Sequence, residues 1–196
     1  MTAIDYDLEF LEDGRTIEVI SIGMVCDDGR EYYAVNSEAP WEKIRENDWL
    51  IRNVLPSLPI TGRTSLDGYL AIPANSYPKS SMSLVGADLT DARVKPHWVI
   101  ANEVRDFLQA TPDVELWANY GAYDHVALAQ LWGPMVRLPE GVPMFTHDIQ
   151  QERTRLGIHE DDLPKQEGGE HNALADARHN QTVRRWLSTQ AWRGAS

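Results

Sequence analysis

The sequence predicts a mixed α/β domain. Three closely spaced strand patterns joined by tight turns open the chain, apolar residues recur at helical spacing in four later segments, and two short strand-like runs sit between those helices. Residues 4–10, IDYDLEF, alternate apolar and acidic residues with the period of a strand. Ile4, Tyr6, Leu8 and Phe10 fall on one face, and Asp5, Asp7 and Glu9 on the other. EDGR (12–15) is a turn signal, TIEVISIGMV (16–25) a second strand, DDGR (27–30) a second turn and EYYAV (31–35) a third strand. Strands so joined form an antiparallel meander.

PWEKIRENDWLIRNVL (40–55) has helical spacing through Trp41, Ile44, Leu50, Ile51, Val54 and Leu55, with Pro40 placed to start it. Residues 56–96 are rich in Gly, Pro, Ser and Asn without a sustained period. A loop-like insertion at about 60–95 is therefore expected, inside one domain spanning 1–196. PHWVIANEVRDFLQA (96–110) returns to helical spacing, and VELWA (114–118) reads as a buried strand. YDHVALAQLW (123–132) is a helix stopped by Gly133-Pro134, and PMFTHDIQ (143–150) reads as a fifth strand. A polar loop at 158–170 precedes a last helix from about Asn172 to Leu187.

The 196 residues suffice for one full core, and 42% hydrophobic with 24% charged residues is ordinary for a soluble globular chain. No apolar run approaches the roughly 18 residues of a membrane span, and no signal-peptide pattern opens the chain. Cys26 is the only cysteine, so no internal disulfide forms and a reducing cytoplasm is the expected setting. The net charge of −12 lies wholly in the first 150 residues. It argues against broad, non-specific binding of long nucleic acid, although bound cations can reverse the sign of a small site.

Several carboxylates sit where burial is expected. Asp7 and Glu9 share a strand face; the bland alternative is an edge strand with a solvated acidic side. Ala173, Asp176, Asn180, Val183 and Leu187 form one stripe of the last helix, which directs Asp176 at the core. A lone buried carboxylate is costly, so Asp176 needs either an arginine, even one from its own helix, or a metal. Asp124 lies in the first turn of the helix after strand 114–118. Acids are favoured there in any helix, but ligands also bind beyond the ends of parallel strands. Four carboxylates from three segments are what a two-cation phosphoryl-transfer site requires.

These residues spell a known pattern. Asp7-Leu8-Glu9 resembles the first motif of the DEDD 3′–5′ exonucleases, NYGAYD (Asn119 to Asp124) the second, and HNALAD (His171 to Asp176) the third in its histidine (DEDDh) form. The resemblance covers about residues 4–187. YDLEFLEDGRTIEVISIG and GAYDHVALAQLWGPM are closer still to the polyadenylate-preferring exoribonucleases of actinobacteria, relatives of ribonuclease T and oligoribonuclease. It implies a ribonuclease-H-like mixed five-stranded sheet, the meander plus two strands parallel to the first, with helices on both faces.

The resemblance also implies the chemistry. Asp7 bridges two Mg²⁺ or Mn²⁺ ions, Glu9 and Asp176 complete one, and Asp124 supports the other. His171 takes a proton from the attacking water, its glycine-containing loop closing on substrate. Phe10 and Tyr123 are aromatic candidates for the terminal base, with a core role as the alternative, and Leu8 stands beside them. Lys165, Arg178, Arg184 and Arg185 are expected on solvated surface, with phosphate contact as the alternative. The other five histidines receive no role. The expected partner is the 3′ end of single-stranded RNA, with no membrane contact and with a homodimer suggested by relatives. A proofreading-type DNA exonuclease, or a non-catalytic module on the same fold, are the rival readings.

Overall fold

The structure is a computed structural model that describes residues 1–73, 76 and 79–190. β1 (Thr2–Glu12) and β2 (Ile17–Cys26) pair antiparallel, and β3 (Glu31–Asn36) completes the meander against β2. The helix expected over 40–55 is broken into α1 (Trp41–Ile44) and α2 (Asp48–Asn53), followed by a 3-10 turn at Leu55–Ser57. Asn47 makes the break, because its side chain accepts the Leu50 N–H at 3.1 Å and caps a new helix start.

The segment expected to be a loop is more ordered than that. β4 (Ile60–Thr61) and β5 (Gly86–Ala87) pair in a small ribbon, with α3 (Arg63–Leu70) between them in the chain. β6 (Val94–Lys95) joins the main sheet parallel to β3. The segment has few apolar residues, but Leu66, Tyr69, Met82 and Val85 are all buried against α1 and α2 in a second core. Residues 74, 75, 77 and 78 of the expected insertion lie outside the described residues, as do 191–196 of the expected domain.

α4 (His97–Gln109), β7 (Val114–Ala118) and α5 (Ala122–Gln130) follow as expected. The strand expected over 143–150 shrinks to β8 (His147–Asp148) and runs straight into α6 (Ile149–Leu156), a helix the pattern did not suggest. Asp148 turns the chain by accepting the N–H groups of Gln150 and Gln151 at 2.7 and 3.4 Å. α7 (Ala173–Ser188) closes the described chain.

The sheet order is β6-β3-β2-β1-β7-β8. β7 pairs parallel to β1 and β8 parallel to β7, which is the expected ribonuclease-H-like arrangement with β6 added as a sixth strand. Helices cover both faces. Ile4, Tyr6 and Leu8 pack with Ile100, Val104, Leu108 and Leu128 of α4 and α5. α7 covers the other face of β1 and β2, and packs on α6 through Val183 and Leu187. Among the described residues no helix is long and apolar enough to cross a membrane.

Candidate active site

Asp7 and Glu9 point to the α7 side of β1, and Gly23 of β2 lies opposite Asp7. A Cβ at Gly23 would collide with the backbone of Ala173, so only glycine lets the start of α7 rest on the sheet. Asn172 caps that start by accepting the Ala175 N–H at 3.1 Å. Asp176 then falls in the first turn, where the positive helix end favours a carboxylate. One oxygen from each of Asp7, Glu9 and Asp176 lies within 4.8 Å of the others. The pairing of β1 with β2 shifts register between Glu9 and Phe10, the kind of irregularity that re-aims side chains beside a site.

Asp124 reaches the same place from α5. Its Oδ1 accepts the Leu8 N–H at 2.9 Å, which pins it to β1 between Asp7 and Glu9. The start of α5 is held by Asp148, whose Oδ2 accepts the Gly121 N–H at 2.8 Å. Asp124 is buried, and burial pushes its carboxyl up to about 7. Glu9 is pushed up to about 8, by burial first and then by repulsion from Asp176 and Asp124. Burial, then Asp124, Glu9 and Asp176, holds Asp7 well above the usual carboxylate range. Burial also raises Asp176, against the hydrogen bond from Gln166 Nε2 at 2.7 Å. Cations bound here must displace protons, so binding tightens as pH rises.

His171 stands just before the Asn172 cap, half-exposed, with Nδ1 3.9 Å from Glu9 Oε1. The cleft around these groups holds about 330 Å³ and is lined also by Leu8, Phe10, Asn119, Gln166 and His179. Phe10 and Tyr123 rings stack at 6.3 Å with 18° between planes, and Tyr123 is exposed. Leu8 is buried in the core beneath them. All five motif residues therefore come together at one cleft, with the two aromatic candidates at its rim.

The third acid of the strand face does not join them. Asp5 is buried and meets Arg184 of α7 through two contacts at 2.8 Å. Arg184, expected at the surface, is instead largely buried and also donates to Asp27 at 2.6 Å. Arg178 pairs with Glu31, Arg185 with Asp27, and Lys165 lies 3.9 Å from Asp161, so each is met by a carboxylate. Sequence reasoning missed Gln166, Gly23 and Asp148. Their roles are contacts across the fold, and only the glycine inside a strand pattern was a readable signal.

A mixed sheet that gathers four carboxylates and a histidine at one cleft defines an α/β nuclease. Two comparisons agree on the class. The sequence pattern of the 3′-5′ exoribonuclease Rv2179c-like domain matches residues 81–187. Two 3′-5′ exoribonucleases from Mycobacterium tuberculosis, of strains CDC 1551 and H37Rv, are each 41% identical over 175 residues, 88% of this chain and 85% of theirs. The solved structure of S. pombe Pop2p with Mg²⁺ and Mn²⁺ bound is 13% identical, over 95% of this chain and 81% of that one. Its TM-score of 0.39 lies below what defines a shared fold. The chain belongs to the Rv2179c-like family of 3′-5′ exoribonucleases.

Proposed function

We propose that this chain is a DEDDh-type exoribonuclease that removes nucleoside 5′-monophosphates from the 3′ end of single-stranded RNA with two divalent cations. The observation that carries the reading is the trio Asp7, Glu9 and Asp176 within 4.8 Å, set below His171. An all-oxygen donor set of this kind fits Mg²⁺ or Mn²⁺. Asp7, Glu9 and Asp176 would hold one ion, and Asp7 with Asp124 the second. Bound cations supply charge neutralisation for the phosphodiester and a more acidic water.

The chain's own groups do the rest. His171, with Nδ1 turned to Glu9, leaves Nε2 to take the proton of the attacking water. Phe10 and Tyr123 receive the terminal base, and Leu8 fixes Asp124 through its backbone N–H. The enzyme acts in the cytoplasm as a homodimer. Exposed Val126, Met135, Val136, Met144 and Phe145, close in sequence to Tyr123, supply an apolar surface for the second copy.

The test is digestion of end-labelled RNA homopolymers and matched DNA with Mg²⁺ or Mn²⁺, beside a circular RNA. Linear RNA should shorten stepwise from its 3′ end and the circle should survive. Cutting of the circle, preference for DNA, or turnover in excess chelator would overturn the reading.

A further inference from the structure

His171 has a left-handed backbone, φ +60°. For a residue with a Cβ that conformation is uncommon and is favoured where contacts around it support it. In the loop before it Gly168 and Gly169 both take positive φ, conformations that glycine adopts without strain. His171 is held locally by its backbone N–H, which bonds to the Asp176 carboxylate, and from a distant part of the chain by two further contacts. Ser57 Oγ donates to the His171 carbonyl at 2.7 Å. The Trp49 ring meets the imidazole edge-on, with centroids 4.9 Å apart and 76° between planes. Both residues belong to α2 and the 3-10 turn after it, a segment anchored by buried Leu50, Ile51, Val54 and Leu55.

The Ser57 hydroxyl has one proton and two acceptors in reach. His171 O lies at 2.7 Å, and Val54 O, in its own turn, at 2.9 Å. When the histidine leaves, the proton swings to Val54 and no donor is orphaned. The geometry would let this contact open and reform without orphaning the donor.

We propose that Ser57 and Trp49 are positioning residues that hold His171 over the carboxylate trio before substrate arrives. This rests on the reading of His171 as the proton acceptor. Ser57→Ala should lower kcat roughly 3- to 10-fold, the worth of one hydrogen bond, with KM unchanged. Ser57→Thr, which keeps the hydroxyl, should restore most of it. Amide hydrogen exchange of residues 166–171 in the metal-free protein should speed up in Ser57→Ala. In a His171→Ala background, Ser57→Ala should cost nothing further. Trp49→Leu, at a side chain that is more than half exposed, provides a second variant that does not threaten the core and should lower kcat in the same non-additive way.

The outcomes separate cleanly. Full activity of His171→Ala would overturn the proton-acceptor reading, while faster loop exchange in Ser57→Ala would still show that Ser57 holds the loop. Unchanged exchange in Ser57→Ala would overturn that hold while leaving His171 its role. An equal further loss in the His171→Ala background, or a Trp49→Leu effect confined to KM, would overturn the positioning role.

Discussion

Asp5 and Asp7 stand two residues apart on the same face of β1 and look at the same helix, yet α7 answers them with opposite chemistry. Asp5 meets Arg184 in a parallel two-point contact, and Arg184 also reaches Asp27. Burial alone would depress the Arg184 guanidinium, but Asp5 and Asp27 hold it above its usual value. Two turns nearer its start, α7 offers Asp176, a third carboxylate for Asp7 and Glu9. One end of the face is complete within the chain. The other gathers carboxylates with no lysine or arginine paired to them among the described residues, and the proposed cations would balance that charge. A buried acid on a strand face is thus no sign of a site by itself; what distinguishes the two is the charge the partner helix supplies.

Exchanging the features of the two ends should break this contrast in graded ways. The largest effect is expected for Asp7→Ala, which removes the carboxylate proposed to serve both ions and should lower RNA turnover by about 10³-fold or more. The metal-free variant should melt no lower than the parent, because one repelling carboxylate is gone. Activity and melting of one preparation check both halves. Second, Arg184→Met leaves Asp5 buried and unpaired, and should cost about 3–5 kcal/mol of stability. Denaturant unfolding reads that loss, while kcat of the folded fraction should stay near the parent value.

A smaller effect sharpens the comparison at the catalytic end. Gln166 is to Asp176 a neutral partner where Arg184 is to Asp5 a charged one. Gln166→Leu should weaken Mn²⁺ binding about 10- to 100-fold by calorimetric titration, as loss of a group that orients a ligand does. The smallest is a pH drift. Glu9 and Asp124 are raised to about 8 and about 7 from ordinary values of 4.5 and 3.8. A carboxyl raised on folding contributes stability that is complete below its ordinary value and is lost as pH climbs through the raised one. The metal-free protein should therefore lose melting temperature from about pH 4.5 to about pH 8, and saturating Mn²⁺ should flatten or reverse the trend.

Much of the site was legible because its residues sit in regular elements. Alternation placed Asp7 and Glu9 together, and helical spacing turned Asp176 inward beside Asn180, which is buried and donates to Tyr6 O at 3.1 Å. The meander, VELWA and the last helix followed from the same periods. α6 was not readable, because IQQERTRL buries only Ile149 and Leu156 and so carries no stripe. α3 was hidden in the same way, with Gly68 inside it and only Leu66 and Tyr69 buried. Arg184 was misplaced at the surface because its partner lies 179 residues away, and local pattern cannot see such a contact.

The taper of the sheet has a consequence of another kind. Its inner strands run 11, 10, 6 and 5 residues, while β6 and β8 at the two rims have 2 each. β6 covers only Val35 and Asn36 of β3, and β8 only Trp117 and Ala118 of β7, so the open edge of the sheet is carried by the short strands β3 and β7 rather than by β1 or β2. The long hydrogen-bonding register that β1 and β2 need to build the acidic face is thereby kept in the interior. Any strand that docks on this sheet meets β3 or β7 first, and the register that sets Asp7 opposite Gly23 stays undisturbed.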